Sequence, residues 1–153
     1  MGVVLDWELM NTSSDLVMQV AAKAAIVDGD GRILIVREAP TGKNNTKVGK
    51  WGLVGGRLEP GETFEAGLKR EVKEEVGLDV EPLKPIYVGE WRPVIRGVPH
   101  QIIAIFMEVT VVGGDIRLSV EHDEAAWIDP RKRQDYLMME PDCFVVDDMV
   151  RLR

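Results

Sequence analysis

Three glutamates, Glu71, Glu74 and Glu75, lie close together in the stretch REVKEEVG (Arg70–Gly77). On a helix, residues three and four apart share a face, so these carboxylates would converge and repel one another. The same spacing puts Glu71 and Glu75 beside the apolar stripe of the helix, where a carboxylate needs a compensating cation. An all-oxygen ligand set favours Mg²⁺ or Mn²⁺. The alternative is an ordinary solvated helix whose charge is balanced by neighbouring basic residues.

The residues upstream extend the cluster into a longer pattern, GRLEPGETFEAGLKREVKEEVGL, from Gly56 to Leu78. This pattern resembles the signature of the Nudix hydrolases. Every specified position of that signature is matched, by Gly56, Glu62, Arg70, Glu71, Val72, Glu74, Glu75, Gly77 and Leu78. The preceding run, WGLVGG, differs from the family's usual form in having Val54 where a proline is typical. The resemblance extends roughly from Val17 to Pro130.

The resemblance implies an α/β fold: a Nudix-type α/β/α sandwich with a mixed β-sheet, in which the signature forms a loop-helix-loop. It also implies a Mg²⁺-dependent pyrophosphohydrolase, for which Mn²⁺ can substitute. Such an enzyme breaks a phosphoanhydride of a nucleoside diphosphate linked to another group by attack of water at phosphorus. A nucleoside triphosphate (the MutT type) and an ADP-ribose-like conjugate both remain open as the substrate.

The signature also implies roles for its own residues. By resemblance, Glu71, Glu74 and Glu75 hold the metal together with a backbone carbonyl near Gly56. The remaining signature residues are expected to be structural. Glu62 and Arg70 would form a salt bridge that braces the loop against the helix, although contact of Glu62 with the metal stays open as an alternative. The glycines Gly56 and Gly77 would serve the backbone conformation.

The general base is not assigned by the signature, because the family does not always take it from the same place. Glu71 is one candidate. Glu121 and Glu124, on the loop before Trp127, are the others, although each is equally well explained as a solvated loop acid. His122 lies between them and is interpreted as a bystander.

Substrate contacts are predicted from residue type alone. Arg37 and Arg57 could reach phosphates, while Trp51 and Trp91 could stack on a base. Burial in the core explains the two tryptophans at least as well. The lysines of the loop between Ala39 and Lys50 could also bind phosphate, but a solvated loop is the better interpretation.

The elements that must position these residues follow from periodicity and turn signals. Strands are expected at Val17–Val27 and at Arg32–Val36, which would return after the turn DGDG to form a hairpin. Further strands are expected within PIYVGEW, within the nearly continuous apolar IIAIFMEVTVV as a central strand, and at Ala125–Ile128. The segment Thr63–Val76 reads as a helix capped by Thr63 and ended by Gly77. Two further helices are expected at Arg131–Met138 and Asp142–Leu152. Residues 1–16 are interpreted as an N-terminal arm or edge strand of a single domain, 1–153.

The composition limits the class of protein. With 153 residues, 45% hydrophobic and 29% charged, the chain suits one globular domain without a membrane span. A single cysteine favours a reducing, cytoplasmic location. The net charge of −7 argues against a nucleic-acid partner, and hence against RNA decapping. A small nucleotide is the expected partner of a monomer or homodimer. A Nudix-fold module that senses a nucleotide without hydrolysing it is the alternative function.

Overall fold

A computed structural model describes residues 16–41 and 46–152. The strands are β1 (Val17–Ile26), β2 (Ile33–Glu38), β3 (Trp51–Gly52), β4 (Val54–Arg57), β5 (Leu78–Trp91), β6 (Val94–Ile95), β7 (Val98–Gly114) and β8 (His122–Ile128). The helices are α1 (Phe64–Val76), a 3₁₀-helix (Pro130–Asp135) and α2 (Asp142–Arg151). Neither α1 nor α2 is long and apolar enough to cross a membrane. The predicted N-terminal arm lies outside the described residues, apart from Leu16.

The strands form two sheets. In the larger sheet the order is β4-β1-β7-β5, and β6 pairs with β7. β1 runs parallel to β7, whereas β4 and β5 pair with their neighbours antiparallel, so this sheet is mixed as predicted. The long apolar segment now seen as β7 lies inside this sheet, which confirms its predicted central position. The smaller sheet has the order β3-β2-β8.

Alternate residues of β1 face two different cores. Ala21 and Ala25 pack in a cluster that contains Val146 of α2. Ala22 and Ala24 pack in a second cluster with the apolar stripe of α1. Because successive strand side chains point to opposite faces, one helix covers each side of the strands. This arrangement is the predicted α/β/α sandwich.

Helix α1 forms where its sequence pattern predicts it. The Thr63 side chain accepts a hydrogen bond from the Ala66 N–H at 3.2 Å and caps the helix. Leu68, Val72 and Val76 are fully buried, and each such side chain stabilises the fold by roughly 1.5–3 kcal/mol. Gly77 ends the helix in the left-handed conformation, with φ 76°.

The prediction that β1 and β2 form a hairpin is wrong. The chain does reverse after β1, where the Asp28 side chain accepts hydrogen bonds from the N–H groups of Asp30 and Arg32. The two strands then share only the bridge between Val27 and Ile33 before they diverge into separate sheets. The physical reason is that β4 and β7 already occupy both edges of β1.

The C-terminal region agrees only in part with its prediction. A helix does begin at Asp142, but the segment predicted as helix from Arg131 to Met138 contains only the 3₁₀-helix Pro130–Asp135. Beyond it, the backbone runs alongside β3: the Trp51 N–H donates to the Leu137 carbonyl and the Met139 N–H donates to the Trp51 carbonyl, both at 2.8 Å. These bonds to β3 replace the bonds that would have continued the helix.

Candidate active site

One face of α1 and the turn before β8 enclose a cavity of about 510 Å³. Five glutamates line it, and we call it the carboxylate cavity; they are Glu59, Glu71, Glu74, Glu75 and Glu121. Gly56 and Arg57 of β4 line the same space. The helix spacing therefore brings the three glutamates of α1 to one cavity. Glu59 comes from the loop before α1, and the fold adds Glu121 from a distant part of the chain.

Arg70 connects the helix to the loop that precedes it. Its Nε and Nη2 donate to the two oxygens of Glu62 at 2.7 and 3.0 Å, which is the predicted ion pair in bidentate form. This contact with Arg70 holds the pKa of Glu62 at about 2. The guanidinium also donates to the Arg57 carbonyl at 3.3 Å, so it ties the end of β4 to α1.

The same guanidinium reaches into the carboxylate cavity. Arg70 Nη1 donates to Glu71 Oε1 at 2.9 Å and to Glu74 Oε2 at 3.1 Å. Burial nevertheless raises the pKa of Glu71, and the neighbouring charges of Glu75 and Glu74 raise it further against the opposing effect of Arg70. The negative charge of this cavity is therefore only partly compensated by the protein.

Two glycines of β4 allow the carboxylates to approach the sheet. A Cβ atom on Gly56 would lie 2.6 Å from Glu71 Oε2, so a side chain at this position would displace that carboxylate. Gly55 has φ 134°, and a Cβ there would collide with the Ala22 carbonyl of β1. The Gly55 N–H donates to Glu75 Oε2 at 2.8 Å. Glycine is thus required at both positions for close contact between β4 and its neighbours.

The donor chemistry of the carboxylate cavity fits a hard divalent cation, because its acidic ligands are all oxygens and carry excess negative charge. Among the residues that the structure describes, however, no group of three or more His, Cys, Asp or Glu side chains is already arranged to hold a metal ion. Instead, Arg70 Nη1 donates to two of the carboxylates, those of Glu71 and Glu74.

The structure separates the two candidates for the general base that were predicted on the loop before Trp127. Glu121 does lie in a turn, but the loop prediction is wrong for Glu124, which lies within strand β8. Glu121 lines the carboxylate cavity. Glu124 instead pairs with Arg37 at 2.8 Å, and Arg37 Nε donates to Asp123 at 2.7 Å. In the register of β2 and β8, Arg37 pairs with Glu124 but Glu38 pairs with His122, so Asp123 is an extra, bulged residue. The bulge changes which side chains of this segment face α1.

The predicted substrate contacts are scattered. Trp51 is 9% exposed and packs edge-on against Tyr136, with Arg37 over its ring at 5.6 Å, so its burial does not support a stacking role. Arg37 is held by its acidic partners away from the carboxylate cavity. Arg57 does line that cavity, while its Nη1 donates to Gln19 at 3.1 Å. Trp91 lies in a different cavity.

That second cavity, of about 310 Å³, is rich in basic residues. We call it the lysine cavity; its lining includes Lys23, Lys47, Lys50, Trp91 and Asp142. Lys47 Nζ lies over the Trp91 ring at 5.7 Å from the centroid. Lys23 of β1 is the register partner of Gly55, whose N–H binds Glu75, so both cavities adjoin the β1–β4 pair.

Lys23 and Asp142 are site residues that sequence reasoning missed. Lys23 Nζ donates to the Leu53 carbonyl at 2.7 Å and pairs with Asp142 Oδ2 at 3.2 Å. Burial is the largest single effect and lowers the pKa of Lys23, but the carboxylates of Asp142, Glu75 and Glu38 together outweigh it, so the pKa of Lys23 rises. The only signal in the sequence was a lysine among the buried alanines of VAAKAAI.

Comparisons with known proteins agree with this geometry. The NUDIX domain model matches residues 17–142. A MutT-like protein of Streptomyces ambofaciens is 35% identical over 111 residues, which is 72% of this chain and 64% of that protein. An ADP-ribose pyrophosphatase of Methanocaldococcus jannaschii is 33% identical over 104 residues, 68% of this chain and 58% of that protein. In both cases the match spans less than two thirds of the relative's own length.

Solved structures agree as well. The crystal structure of the MutT protein from Methanosarcina mazei superposes with a TM-score of 0.77 at 26% identity, covering 92% of this chain and 98% of that one. The family match includes β1, the carboxylate-bearing helix α1, and Asp142 at the start of α2. On these grounds the chain belongs to the Nudix domain family.

Proposed function

We propose that the protein is a divalent-metal-dependent pyrophosphohydrolase that cleaves a phosphoanhydride of a nucleoside diphosphate derivative. The observation that carries the proposal is the carboxylate cavity, in which three glutamates of α1 and Glu121 line the same space. Family membership supports the assignment, as does the relative named ADP-ribose pyrophosphatase.

Glu71, Glu74 and Glu75 would hold Mg²⁺ or Mn²⁺, with a backbone carbonyl near Gly56 as a further oxygen ligand. When bound, the cation would neutralise charge on the phosphate oxygens and lower the pKa of the attacking water. Arg70 also contributes to the arrangement of these carboxylates. Its Nη1 holds Glu71 and Glu74 in the absence of a cation and limits their mutual repulsion, while the Glu62 pair keeps the guanidinium in place.

Glu121 is the best-supported general base. It lines the carboxylate cavity, whereas Glu124 is engaged by Arg37 and Glu71 by Arg70. A carboxylate without these cationic partners is free to accept a proton from the attacking water. The Glu121 carbonyl accepts from the Ala39 N–H at 2.8 Å, which anchors the backbone that carries this side chain.

The lysine cavity would receive the other part of the substrate. The ring of Trp91 offers a surface for stacking a base, and Lys47 and Lys50 offer cations for phosphate oxygens. Burial lowers the pKa of Lys47, and the nearby Lys23 lowers it further, so an anion in this cavity would relieve repulsion between the two. A nucleotide with bound metal would meet the needs of both cavities.

The experiment is a hydrolysis panel with the purified protein. Nucleoside triphosphates, ADP-ribose and dinucleoside polyphosphates are incubated with Mg²⁺, with Mn²⁺ or with EDTA, and products are identified by mass. In H₂¹⁸O, the label should enter a phosphate product, because water attacks phosphorus. We expect turnover only with metal. Absence of any product from the panel would refute the proposal.

A nucleotide-sensing module is the alternative function. It would be supported by tight nucleotide binding to a folded protein that turns over none of the panel. The three α1 carboxylates of the signature, Glu71, Glu74 and Glu75, line one cavity, which favours the enzyme because binding alone does not require them.

A further inference from the structure

We propose that His122 is a positioning residue that orients the carboxylate of Glu75, an inference that rests on the proposed function. His122 is the first residue of β8, and its side chain is only 4% exposed. Its Nε2 lies 3.5 Å from Glu75 Oε2. Within the described residues, neither of its ring nitrogens has a hydrogen-bond partner.

A buried imidazole without partners is costly, since an unsatisfied buried polar group destabilises a fold by about 1–3 kcal/mol. The distance of 3.5 Å is just beyond the usual range for an N–H···O bond, about 2.7–3.2 Å. A small movement of Glu75 would complete the bond from the His122 Nε2–H. Glu75 is therefore the acceptor that the geometry assigns to this histidine.

Glu75 would then be held from two sides through one oxygen. Oε2 already accepts from the Gly55 N–H of β4 at 2.8 Å, and His122 approaches the same atom from β8. Among the described residues no hydrogen bond engages the other oxygen, Oε1, although Glu75 lines the carboxylate cavity. Fixing Oε2 limits rotation of the carboxylate and leaves Oε1 as the atom available to a cation.

The backbone supports the same contact. The Ser119 N–H donates to the Glu75 carbonyl at 3.0 Å, and the His122 N–H donates to the Ser119 carbonyl at 3.3 Å. The bulge at Asp123 then places His122 opposite Glu38 at the end of the β2–β8 pairing. Since Glu121 precedes His122 directly, one short turn carries both the proposed base and the residue that positions a proposed metal ligand.

The expected consequence of removing the His122 imidazole is weaker metal binding. Carboxylates that bind metals are themselves hydrogen-bonded, and loss of such an outer partner typically weakens metal binding or activity by about 10- to 100-fold. His122 is not among the residues that line the carboxylate cavity, so it acts through Glu75 and not on the substrate.

The test measures Mn²⁺ binding without nucleotide, from the electron paramagnetic resonance signal of free Mn²⁺. We expect His122→Leu to weaken binding by about 10-fold or more. His122→Gln keeps an N–H donor and should stay within about threefold of the wild type. The matched control is His100→Gln, because His100 is similarly buried but bonds the Val98 carbonyl through Nδ1. Unchanged binding by folded His122→Leu protein would overturn the inference.

The assay separates this inference from the proposed function. A wild-type protein that binds no Mn²⁺ would refute the metal site itself. A wild type that binds Mn²⁺ but hydrolyses nothing would refute the enzyme and leave the positioning role standing. For the active protein at saturating metal, the KM for nucleotide should change less than twofold in His122→Leu while kcat falls.

A second measurement avoids variants that fail to fold. The chain has two histidines, so ¹⁵N spectra of histidine-labelled wild-type protein resolve both rings. His122 should carry a proton on Nε2, and its signal should shift when Mg²⁺ is added. His100 should carry its proton on Nδ1 and stay unchanged. An unprotonated His122 Nε2, or a signal that Mg²⁺ leaves unmoved, would overturn the inference.

Discussion

The carboxylate cavity and the lysine cavity both adjoin the β1–β4 pair, but they are built in opposite ways. Three glutamates of the first come from a single helix, α1, and its glycine from the adjoining strand. The second takes its lining from four separated segments, represented by Lys23, Lys50, Trp91 and Asp142. The three α1 carboxylates of the first cavity are thus placed by a local motif, whereas the second cavity exists only after distant segments have packed together.

Their charges are unbalanced in opposite directions. In the carboxylate cavity Arg70 compensates only part of the negative charge, and the pKa of Glu71 stays raised, first through burial. In the lysine cavity Asp142 neutralises Lys23, while the pKa of Lys47 is lowered, first through burial. The first cavity therefore favours a cation and the second an anion. The comparison predicts that changes in the first affect kcat and changes in the second affect KM.

The largest effect is expected for Glu75→Gln. The substitution keeps the size of the side chain but removes the charge from a proposed metal ligand, so kcat should fall on the order of 10²–10³-fold. Circular dichroism should show an unchanged fold. The control is Glu65→Gln, which alters an exposed glutamate of α1 that pairs with Lys69. Near-normal kcat for Glu75→Gln would remove Glu75 from the metal site.

The next largest effect distinguishes the two candidate general bases near the start of β8, Glu121 and Glu124. Glu121→Gln should lower kcat on the order of 10²-fold, the scale of a lost general base. Glu124→Gln should change kcat less than threefold, because Glu124 pairs with Arg37. Steady-state kinetics with Mg²⁺ measure both variants. The opposite ranking would show that the turn before β8 rearranges when substrate binds.

A smaller effect should identify the lysine cavity as the site that binds the nucleotide base of the substrate. Trp91→Ala should raise KM about tenfold with kcat within about twofold, since stacking of one base contributes roughly 1–3 kcal/mol. Trp91→Phe keeps an aromatic face and should leave KM within about threefold. If Trp91→Ala lowers kcat and leaves KM unchanged, the division of labour between the two cavities is wrong.

The smallest effect concerns stability in acid. The bidentate contact with Arg70 lowers the pKa of Glu62 from 4.5 to about 2. Because the folded-state pKa is the lower one, this contribution to the free energy of unfolding is present above pH 4.5 and is lost as the pH falls towards 2. Denaturant unfolding at several pH values should show that loss in the wild type.

The variant that tests this contact is Glu62→Gln. It should be less stable than the wild type at pH 7, and the difference should shrink on acidification through the same range. Glu65→Gln should instead follow the wild type. A Glu62→Gln protein that keeps the full acid dependence would assign that dependence to other carboxylates.

Much of α1 and of the carboxylate cavity could be predicted from the sequence, because the relevant contacts are local. Helical geometry alone brings residues three and four apart to one face, which aligns Glu71 with Glu74 and Glu75. The Thr63 cap and the end at Gly77 are likewise decided within one turn of the helix. The pairing of Glu62 with Arg70 joins residues close in sequence and is present as predicted.

The features of the fold and the site that only the tertiary structure decided depend on strand pairing. The sequence predicted a reversal after β1, but not that β4 and β7 would fill both edges of β1 and send β2 to another sheet. One bulged residue, Asp123, determines which neighbouring side chains face α1, since a shift of one residue inverts the faces of a strand. Periodicity could therefore neither choose between Glu121 and Glu124 as the candidate general base nor show that His122 lies beside Glu75.

The lysine cavity shows the same limit most clearly. Lys23 and Asp142 are far apart in the chain, and their ion pair forms only when β1 and the start of α2 pack together. By itself the sequence determined a carboxylate-bearing helix, its end and the convergence of three glutamates on one helix face, because backbone geometry relates those residues directly. The partners of Lys23 and Arg37 were decided by packing between distant segments, which no local pattern encodes.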